Sequence, residues 1–282
     1  MNKIKLKSYA KINLCLDIVN KRPDGYHNLR TIMQSLDLFD QIEIQTSKDI
    51  QIESDHPDVP LNETNLAYKA AKAIFEKVGI KEGAKIRIAK NIPIAAGLAG
   101  GSSNAAAVLH GLNILYGLNL KISQLVYIGK SLGADVPFCV VGGTVLATGI
   151  GDRLNILPPI KEYNVLLVKP NVGVSTKDVY SKVNIQDLSS RPDIEKAVKS
   201  IENHDLPGLT SSMGNVLEPI TSLMVKEVLE IKNMMLTMGA DGAIMCGSGP
   251  TVFAICSCNC KAKSIFKYFK NVYEQVYLCK TM

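Results

Sequence analysis

The sequence predicts a mixed α+β protein organised in two domains, and three observations carry that prediction. The chain opens with a long two-residue alternation of apolar and polar residues. Glycine-rich turns then lead into alanine- and leucine-rich segments of helical length, and strand and helix signals interchange to the end without repeats or low-complexity tracts.

From Ile4 to Ile18 every even position except Ser8 is apolar, while Lys3, Lys5, Lys7, Tyr9, Lys11, Asn13 and Asp17 occupy odd ones. That period predicts a half-buried strand and places Lys11 and Asn13 together on the face turned away from the core. Arg22-Pro23-Asp24-Gly25 supplies turn chemistry, and a second alternating run ends in Asp40-Gln41-Ile42-Glu43-Ile44, so the first two elements read as paired strands. A helix is predicted from about Asn65 to Val78 with Gly79 as its stop, then a short strand from Lys85 to Ile88 that feeds a glycine-rich loop. Helices are predicted from about Ser103 to Tyr116 and from about Ser123 to Leu132, the second stopped by Gly133, with Asp135 directly after it.

Gly142-Gly143, Gly149-Ile150-Gly151 and Pro158-Pro159 mark a change in composition ahead of a strand from Tyr163 to Val168. The domain boundary is read there, giving domains 1–156 and 157–282. The second half carries a helix from about Ser222 to Met238, a strand into Cys246, a Gly247-Ser248-Gly249-Pro250-Thr251 loop and a strand from Val252 to Cys256.

With 46% hydrophobic and 21% charged residues over 282 positions, the composition is that of an ordinary globular chain. A net charge of +6 with dispersed lysines gives no footprint for nucleic acid and suits an anionic small substrate. Seven cysteines at unrelated spacings, and an opening with neither an apolar signal region nor a transit segment, predict a reducing cytoplasm. No apolar run approaches the roughly 20 residues of a membrane span. Cys256, Cys258 and Cys260 have no histidine nearby and no second ligand pair, and are read as thiols at a strand end rather than a metal site.

The segment Pro93-Ile94-Ala95-Ala96-Gly97-Leu98-Ala99-Gly100-Gly101-Ser102-Ser103-Asn104 carries the strongest chemical signal. Small residues let backbone N–H groups crowd around an anion, the helix start favours phosphate, and the Ser102 and Ser103 hydroxyls can add donors or a magnesium ligand. It is not a Walker A loop: Gly129-Lys130-Ser131 needs a glycine where Gln124 stands, and the dinucleotide pattern G-x-G-x-x-G is absent from the segment.

This loop resembles the second motif of the GHMP kinases, Ala10-Lys11-Ile12-Asn13-Leu14 resembles their first, and Gly247-Ser248-Gly249-Pro250-Thr251 their third, in the same order. Within that superfamily Arg22-Pro23-Asp24-Gly25-Tyr26-His27, Met33-Gln34-Ser35-Leu36 and Gly133-Ala134-Asp135-Val136-Pro137-Phe138 are similar to the diphosphocytidyl-methylerythritol kinases. The likeness spans nearly the whole chain and is weak between Asp187 and Leu217. Ala95, Ala96 and Ala99 stand where some members have glycine, and Gly151-Asp152 where Gly-Glu is usual.

The resemblance implies a two-domain GHMP kinase fold, with the active site in the cleft between an N-terminal ATP-binding domain and a C-terminal α/β domain. It implies ATP and Mg²⁺ as cofactors, and a small-molecule substrate carrying a cytidine diphosphate group whose 2-hydroxyl is phosphorylated in the non-mevalonate isoprenoid pathway. No nucleic acid or membrane partner is implied, and the chain is expected to be a monomer or homodimer. Carried over by position, Lys11 and Asp135 are the catalytic pair, with Lys11 neutralising the transferred phosphoryl group and Asp135 orienting or deprotonating the hydroxyl. Asn65, Pro93, Ala95, Ala96, Gly97, Leu98, Ala99, Gly100, Gly101, Ser102 and Ser103 hold the nucleotide, and Asn13, Tyr26, His27, Thr176 and Tyr180 hold the substrate. Another GHMP kinase, such as a homoserine kinase, or a catalytically silent sensor on the same scaffold are the alternatives.

Overall fold

A computed structural model describes residues 2–188 and 191–282, which form two compact units, each assembled from separate stretches of chain. Of the described residues, the first unit comprises those within 2–10, 38–94 and 99–142, and the second those within 11–37, 95–98, 143–188 and 191–282.

The opening alternation forms strand β1 (Lys3–Lys21), and the next forms β2 (His27–Ser47), each contributing residues to both units. In the first unit, β2 pairs antiparallel with β4 (Gly83–Ala89), from Gln41 opposite Ala89 to Ser47 opposite Gly83. Between them in sequence come β3 (Gln51–Ser54), which pairs parallel with β4, and helix α1 (Leu66–Val78). Asn65 caps α1 by accepting from the Ala67 N–H at 2.8 Å, and Gly79 ends it at φ 72°, the left-handed geometry a side chain disfavours. Helices α2 (Gly100–Leu115), α3 (Ile122–Lys130) and α4 (Val136–Val141) complete the unit. Ile42, Ile44, Ile86 and Ile88 from the strands meet Ala105, Ala106, Val108 and Leu109 of α2 and Ala70, Ala71 and Ile74 of α1 in one buried cluster. The alanines let the helices lie close to each other and to the strands.

Asp40 sits in the apolar register of β2 between buried Leu38 and Ile42, and is fully buried. Its carboxylate pairs with Lys90 and accepts from the Asn91 and Ile92 N–H groups at 2.8 Å each. With its amide oriented to satisfy its neighbours, Asn104 of α2 donates to Asp40, the Gly100 carbonyl and Ser8. One carboxylate thus fixes the exit of β4 and the first turn of α2.

In the second unit β2 pairs with β5 (Thr144–Gly149), from Leu29 opposite Gly149 to Gln34 opposite Thr144, and β5 with β6 (Arg153–Ile156). Further along come β7 (Asn164–Lys169), α5 (Thr176–Ser181), α6 (Ile194–Glu202), α7 (Leu206–Ser212) and β8 (Gly214–Asn215), which pairs parallel with β1 at Cys15 and Leu16. Then follow α8 (Glu218–Met224), α9 (Glu227–Thr237), β9 (Gly242–Met245), β10 (Val252–Cys256), α10 (Asn259–Lys270) and β11 (Gln275–Lys280). Strands β11, β7, β10 and β9, in that order, make an antiparallel sheet. Leu166, Val168, Val252 and Ala254 on one face pack on Val228, Ile231, Ile265 and Phe269 of the helices.

Four local expectations change. Strand β1 is not half-buried along its middle: Lys11 and Asn13, on the face turned away from the core, are each only 3% exposed, because that face is covered too. Gly133 is not the stop of α3, which ends at Lys130 and tightens through bonds from Leu132 and Gly133 N–H to the Gly129 carbonyl. The helix read across 222–238 is two helices, because Val225, buried and β-branched, is extended at φ −137°. Cys258 and Cys260 are joined in a disulfide rather than free, whereas Cys256 is a free buried thiol.

The buried Asp40–Lys90 pair makes a direct prediction. Asp40→Asn leaves an uncompensated ammonium and is expected to cost about 3–5 kcal/mol in denaturant unfolding, whereas Asp40→Leu combined with Lys90→Met recovers most of it. Equal losses for the single and double variants would contradict this account.

Candidate active site

Each unit gathers its own share of the predicted residues. In the second unit the centre is Lys11, whose ammonium donates to the Asn13 amide oxygen at 2.8 Å and to the Gly97 carbonyl at 2.9 Å, while its backbone N–H donates to the Leu98 carbonyl at 3.2 Å. Asn13 in turn donates to Thr31 at 2.9 Å, and Thr31 to the Cys15 carbonyl at 2.7 Å. Alternation on β1 puts Lys11 and Asn13 on one face, and this chain fixes both side chains against a rigid strand pair.

The third glycine-rich motif meets the same point. Cys246, at the end of β9, directs its thiol to the Gly97 carbonyl at 3.3 Å. A Cβ built on Gly97 would lie 2.4 Å from the Cys246 carbonyl oxygen, and its φ of 75° is also one that favours glycine. Here glycine answers both a close approach and a left-handed backbone. The 247–251 turn is held from outside by Asn215, which donates to the Met245 and Gly247 carbonyls at 2.8 and 2.7 Å, and by Thr221, which donates to the Ser248 carbonyl at 3.2 Å. Glu218, paired with Lys232, accepts from the Met245 N–H at 2.8 Å.

Thr176, at the start of α5, shares a hydrogen bond with the Ser248 hydroxyl at 2.9 Å. Tyr180, one turn later, tilts against His27 with ring centres 5.5 Å apart. His27 is buried and its Nε2 has no hydrogen-bond partner among the described residues, while Tyr26 beside it is 65% exposed. Burial, and secondarily the Lys21 charge, lower the His27 pKa from 6.5, so its ring is neutral at neutral pH. A neutral imidazole with a free ring nitrogen in the interior is a directional recognition element waiting for a partner.

In the first unit α2 begins at Gly100, three residues earlier than the sequence suggests, so Gly100, Gly101, Ser102 and Ser103 form its first turn. Ala99 is its N-cap, at φ 56° and without a side-chain cap, and no acidic residue lies in that turn. First-turn N–H groups left without a side-chain acceptor suit an anion. Pro93 and Ala96 are buried, and Ala95 is left-handed at φ 52°. The two serines differ. Ser103 is buried, donates to the Tyr9 carbonyl at 2.6 Å and accepts from Ser8 at 2.8 Å, so its hydroxyl belongs to the scaffold. Ser102 is half-buried, with the Gly133 turn beside it, and remains suited to a ligand.

Asn65 has both ends of its amide engaged, accepting from Ala67 and donating to the Pro60 carbonyl at 2.7 Å. Asp135 precedes α4 at its N-cap position, half-buried, with no capping bond from its side chain. Sequence reasoning assigned no role to Asp40, Lys90, Asn104, Asn215 and Ser248. Asn104 and Ser248 lie inside the glycine-rich motifs, and Asp40 left a signal of its own, a carboxylate in the apolar register of an alternating strand. Among the described residues no group of three histidine, cysteine or acidic side chains gathers for a metal. Burial pushes the Cys15 thiol up to about 12 and that of Cys256 to about 11, so neither serves as a nucleophile.

Gly97→Ala is expected to cost at least about 2 kcal/mol more than Gly25→Ala, since both residues have positive φ but only Gly97 lacks room for a Cβ. Chemical unfolding of the two variants checks this; equal costs would mean that the loop moves aside freely.

Comparison with known proteins adds to this geometry. Residues 65–143 match the GHMP kinases N terminal domain and residues 197–275 the GHMP kinases C terminal. The chain is 45% identical over 280 residues to 4-diphosphocytidyl-2-C-methyl-D-erythritol kinase of Clostridium tetani (strain Massachusetts / E88), covering 99% of this chain and 100% of the other. It is 46% identical over 283 residues to the protein of that name from Acetivibrio thermocellus, covering 100% of both. A crystal structure of 4-(cytidine 5'-diphospho)-2C-methyl-D-erythritol kinase superposes with a TM-score of 0.84 at 29% identity, covering 99% of each chain.

Proposed function

The chain belongs to the 4-diphosphocytidyl-2-C-methyl-D-erythritol kinases of the GHMP kinase family, and from that premise we propose that it transfers the γ-phosphoryl group of ATP to the 2-hydroxyl of 4-diphosphocytidyl-2-C-methyl-D-erythritol. The observation that best supports a phosphotransferase reading is the buried ammonium of Lys11, held by Asn13 and the Gly97 carbonyl within a nest of glycine-rich turns. Phosphoryl transfer asks chiefly for positioned positive charge and N–H groups around the moving phosphoryl oxygens, and a lysine held in this way supports the reading.

On this reading Lys11 neutralises charge on the transferred group, and the first turn of α2 with Gly97, Leu98 and Ala99 cradles the triphosphate. Asn65 acts as a positioning residue that fixes the start of α1 for the adenine. Ser102 is the hydroxyl suited to hold a magnesium ion, which would offset the charge on the phosphate oxygens. The cytosine is received by Tyr26, which offers a ring face, and by the unpartnered Nε2 of His27, with Tyr180 behind the imidazole. Thr176 adds a hydroxyl and Asn13 an amide. Asp135 orients the attacking 2-hydroxyl and accepts its proton. No helix among the described residues is long and apolar enough to cross a membrane.

The direct test is ADP release measured with a panel of alcohols. The diphosphocytidyl substrate is expected to give by far the largest kcat/KM; faster turnover of homoserine or mevalonate would overturn the assignment. Asp135→Asn is expected to lower the single-turnover rate by about 10²–10⁴ with both ligands still bound. If binding of the diphosphocytidyl substrate is lost while the rate per bound complex is normal, Asp135 is a binding residue only.

His27 adds a pH dependence. Its folded pKa is lowered, so its contribution to stability is complete above about pH 6.5 and is lost as pH falls through the lowered value. Thermal melts from pH 7.5 to 5 are expected to fall more steeply for wild type than for His27→Phe, and CDP affinity to weaken over the same interval. Parallel curves would show that the ring is not held neutral.

A further inference from the structure

Lys169 is the last residue of β7, only 7% exposed, and plays no part in the reading above. Among the described residues its single hydrogen bond is to the Pro170 carbonyl at 3.3 Å, and no carboxylate pairs with it. An ammonium carries three donors, and burying one so poorly matched is costly unless an anion completes it. Burial lowers its pKa from 10.5, with no compensating partner.

A second unsatisfied group lies next to it. Thr251 is 1% exposed and its hydroxyl has no partner among the described residues. Val252 of β10 stands opposite Val168 of β7, so Thr251 and Lys169 are the next positions on these antiparallel strands, on the face opposite the helix-covered valines. The same face carries Cys246, whose N–H donates to the Thr251 carbonyl at 2.8 Å and whose thiol reaches the Gly97 carbonyl. The chain leaving Lys169 runs to Thr176, which bonds Ser248, and the turn from Ser248 returns to Thr251. Lys169 and Thr251 therefore close the base of the ring that the 170–176 segment and the 247–250 turn complete, with the Thr176–Ser248 contact at its top.

We propose that Lys169 and Thr251 form a phosphoryl-oxygen site, in which the buried ammonium and hydroxyl receive a phosphate group of a bound ligand at the base of this ring. The proposal rests on the kinase reading for its ligands, which carry phosphate in two places, the diphosphate of the acceptor and the triphosphate of the donor. Proximity to Thr176 favours the acceptor diphosphate.

The test is titration calorimetry with CDP, cytidine and a non-hydrolysable ATP analogue on wild type, Lys169→Met, Lys169→Arg and Thr251→Val, with thermal melts of each. Lys169→Met is expected to weaken CDP by about tenfold or more and cytidine by less than about twofold, with Lys169→Arg intermediate. Because the substitution removes an unpaired buried charge, its melting temperature is expected to hold or rise. Thr251→Val should show the same ligand pattern at smaller size. Loss confined to the ATP analogue also supports a phosphoryl site and assigns it to the donor. Unchanged affinity for both phosphate ligands, or an equal loss for cytidine, overturns the proposal, and a lowered melting temperature with unchanged affinities assigns Lys169 to the scaffold. If wild type binds the ATP analogue but neither CDP nor cytidine, the acceptor assigned to the enzyme fails, and the ATP arm alone decides the Lys169 proposal.

Discussion

The carbonyl of Gly97 is where the second unit's chemistry is anchored. It accepts from the Lys11 ammonium at 2.9 Å and from the Cys246 thiol at 3.3 Å, and the missing Cβ is what allows the Cys246 backbone to come so near. A strand lysine, a glycine-rich loop and a second glycine-rich turn, distant in sequence, are thereby held to one atom. The loop bends around that point through Ala95 and Ala99 at φ 52° and 56°, conformations that cost roughly 1–3 kcal/mol each in non-glycine residues and persist only where the surroundings impose them. The strain has a use: it turns the chain so that α2 starts at Gly100 with its first N–H groups uncapped.

Around this anchor the buried polar groups fall into two kinds. Asp40 with Lys90 and Asn104, and Glu218 with Lys232 and the Met245 N–H, are fully partnered and tie the ends of glycine-rich segments to strands. Buried pairs of this sort contribute little net stability, because desolvation offsets most of the attraction, but they define position, since removing one partner strands the other. The other kind, the His27 Nε2 and the Thr251 hydroxyl, is buried and unpartnered. Interiors rarely tolerate such groups, and both occur among residues tied to ligand recognition or to the third glycine-rich motif. The satisfied network builds the frame, and the unsatisfied atoms are the ones proposed to meet a ligand.

Much of this was legible in the residues. The strict period of β1 and β2, the Asn65 and Gly79 caps of α1 and the strand–loop–helix order around Pro93 to Asn104 all follow from local rules and recur in the structure at nearly the expected bounds. The three motifs identified the family, two of them because their glycines reflect backbone geometry that few other residues permit. Local rules failed where a residue answers to a distant neighbour. Val225 breaks a helix that propensity would continue, and α3 closes without the left-handed glycine that Gly133 seemed to offer.

The sequence by itself determined which residues can carry charge and phosphate chemistry, where the chain must turn, and that helices and strands interchange, because these depend on side-chain type, short-range period and backbone freedom. Only the tertiary structure decided that Lys11 and Asn13 are buried, that Ser103 serves the scaffold while Ser102 remains half-exposed, and that the unpartnered Thr251 hydroxyl stands beside Lys169, whose ammonium has only the Pro170 carbonyl among the described residues. Alternation assigns a residue to one face of a strand but not what covers that face. Burial and hydrogen-bond satisfaction are set by segments far away in the chain, and in this protein those are the properties that separate a ligand-binding group from a structural one.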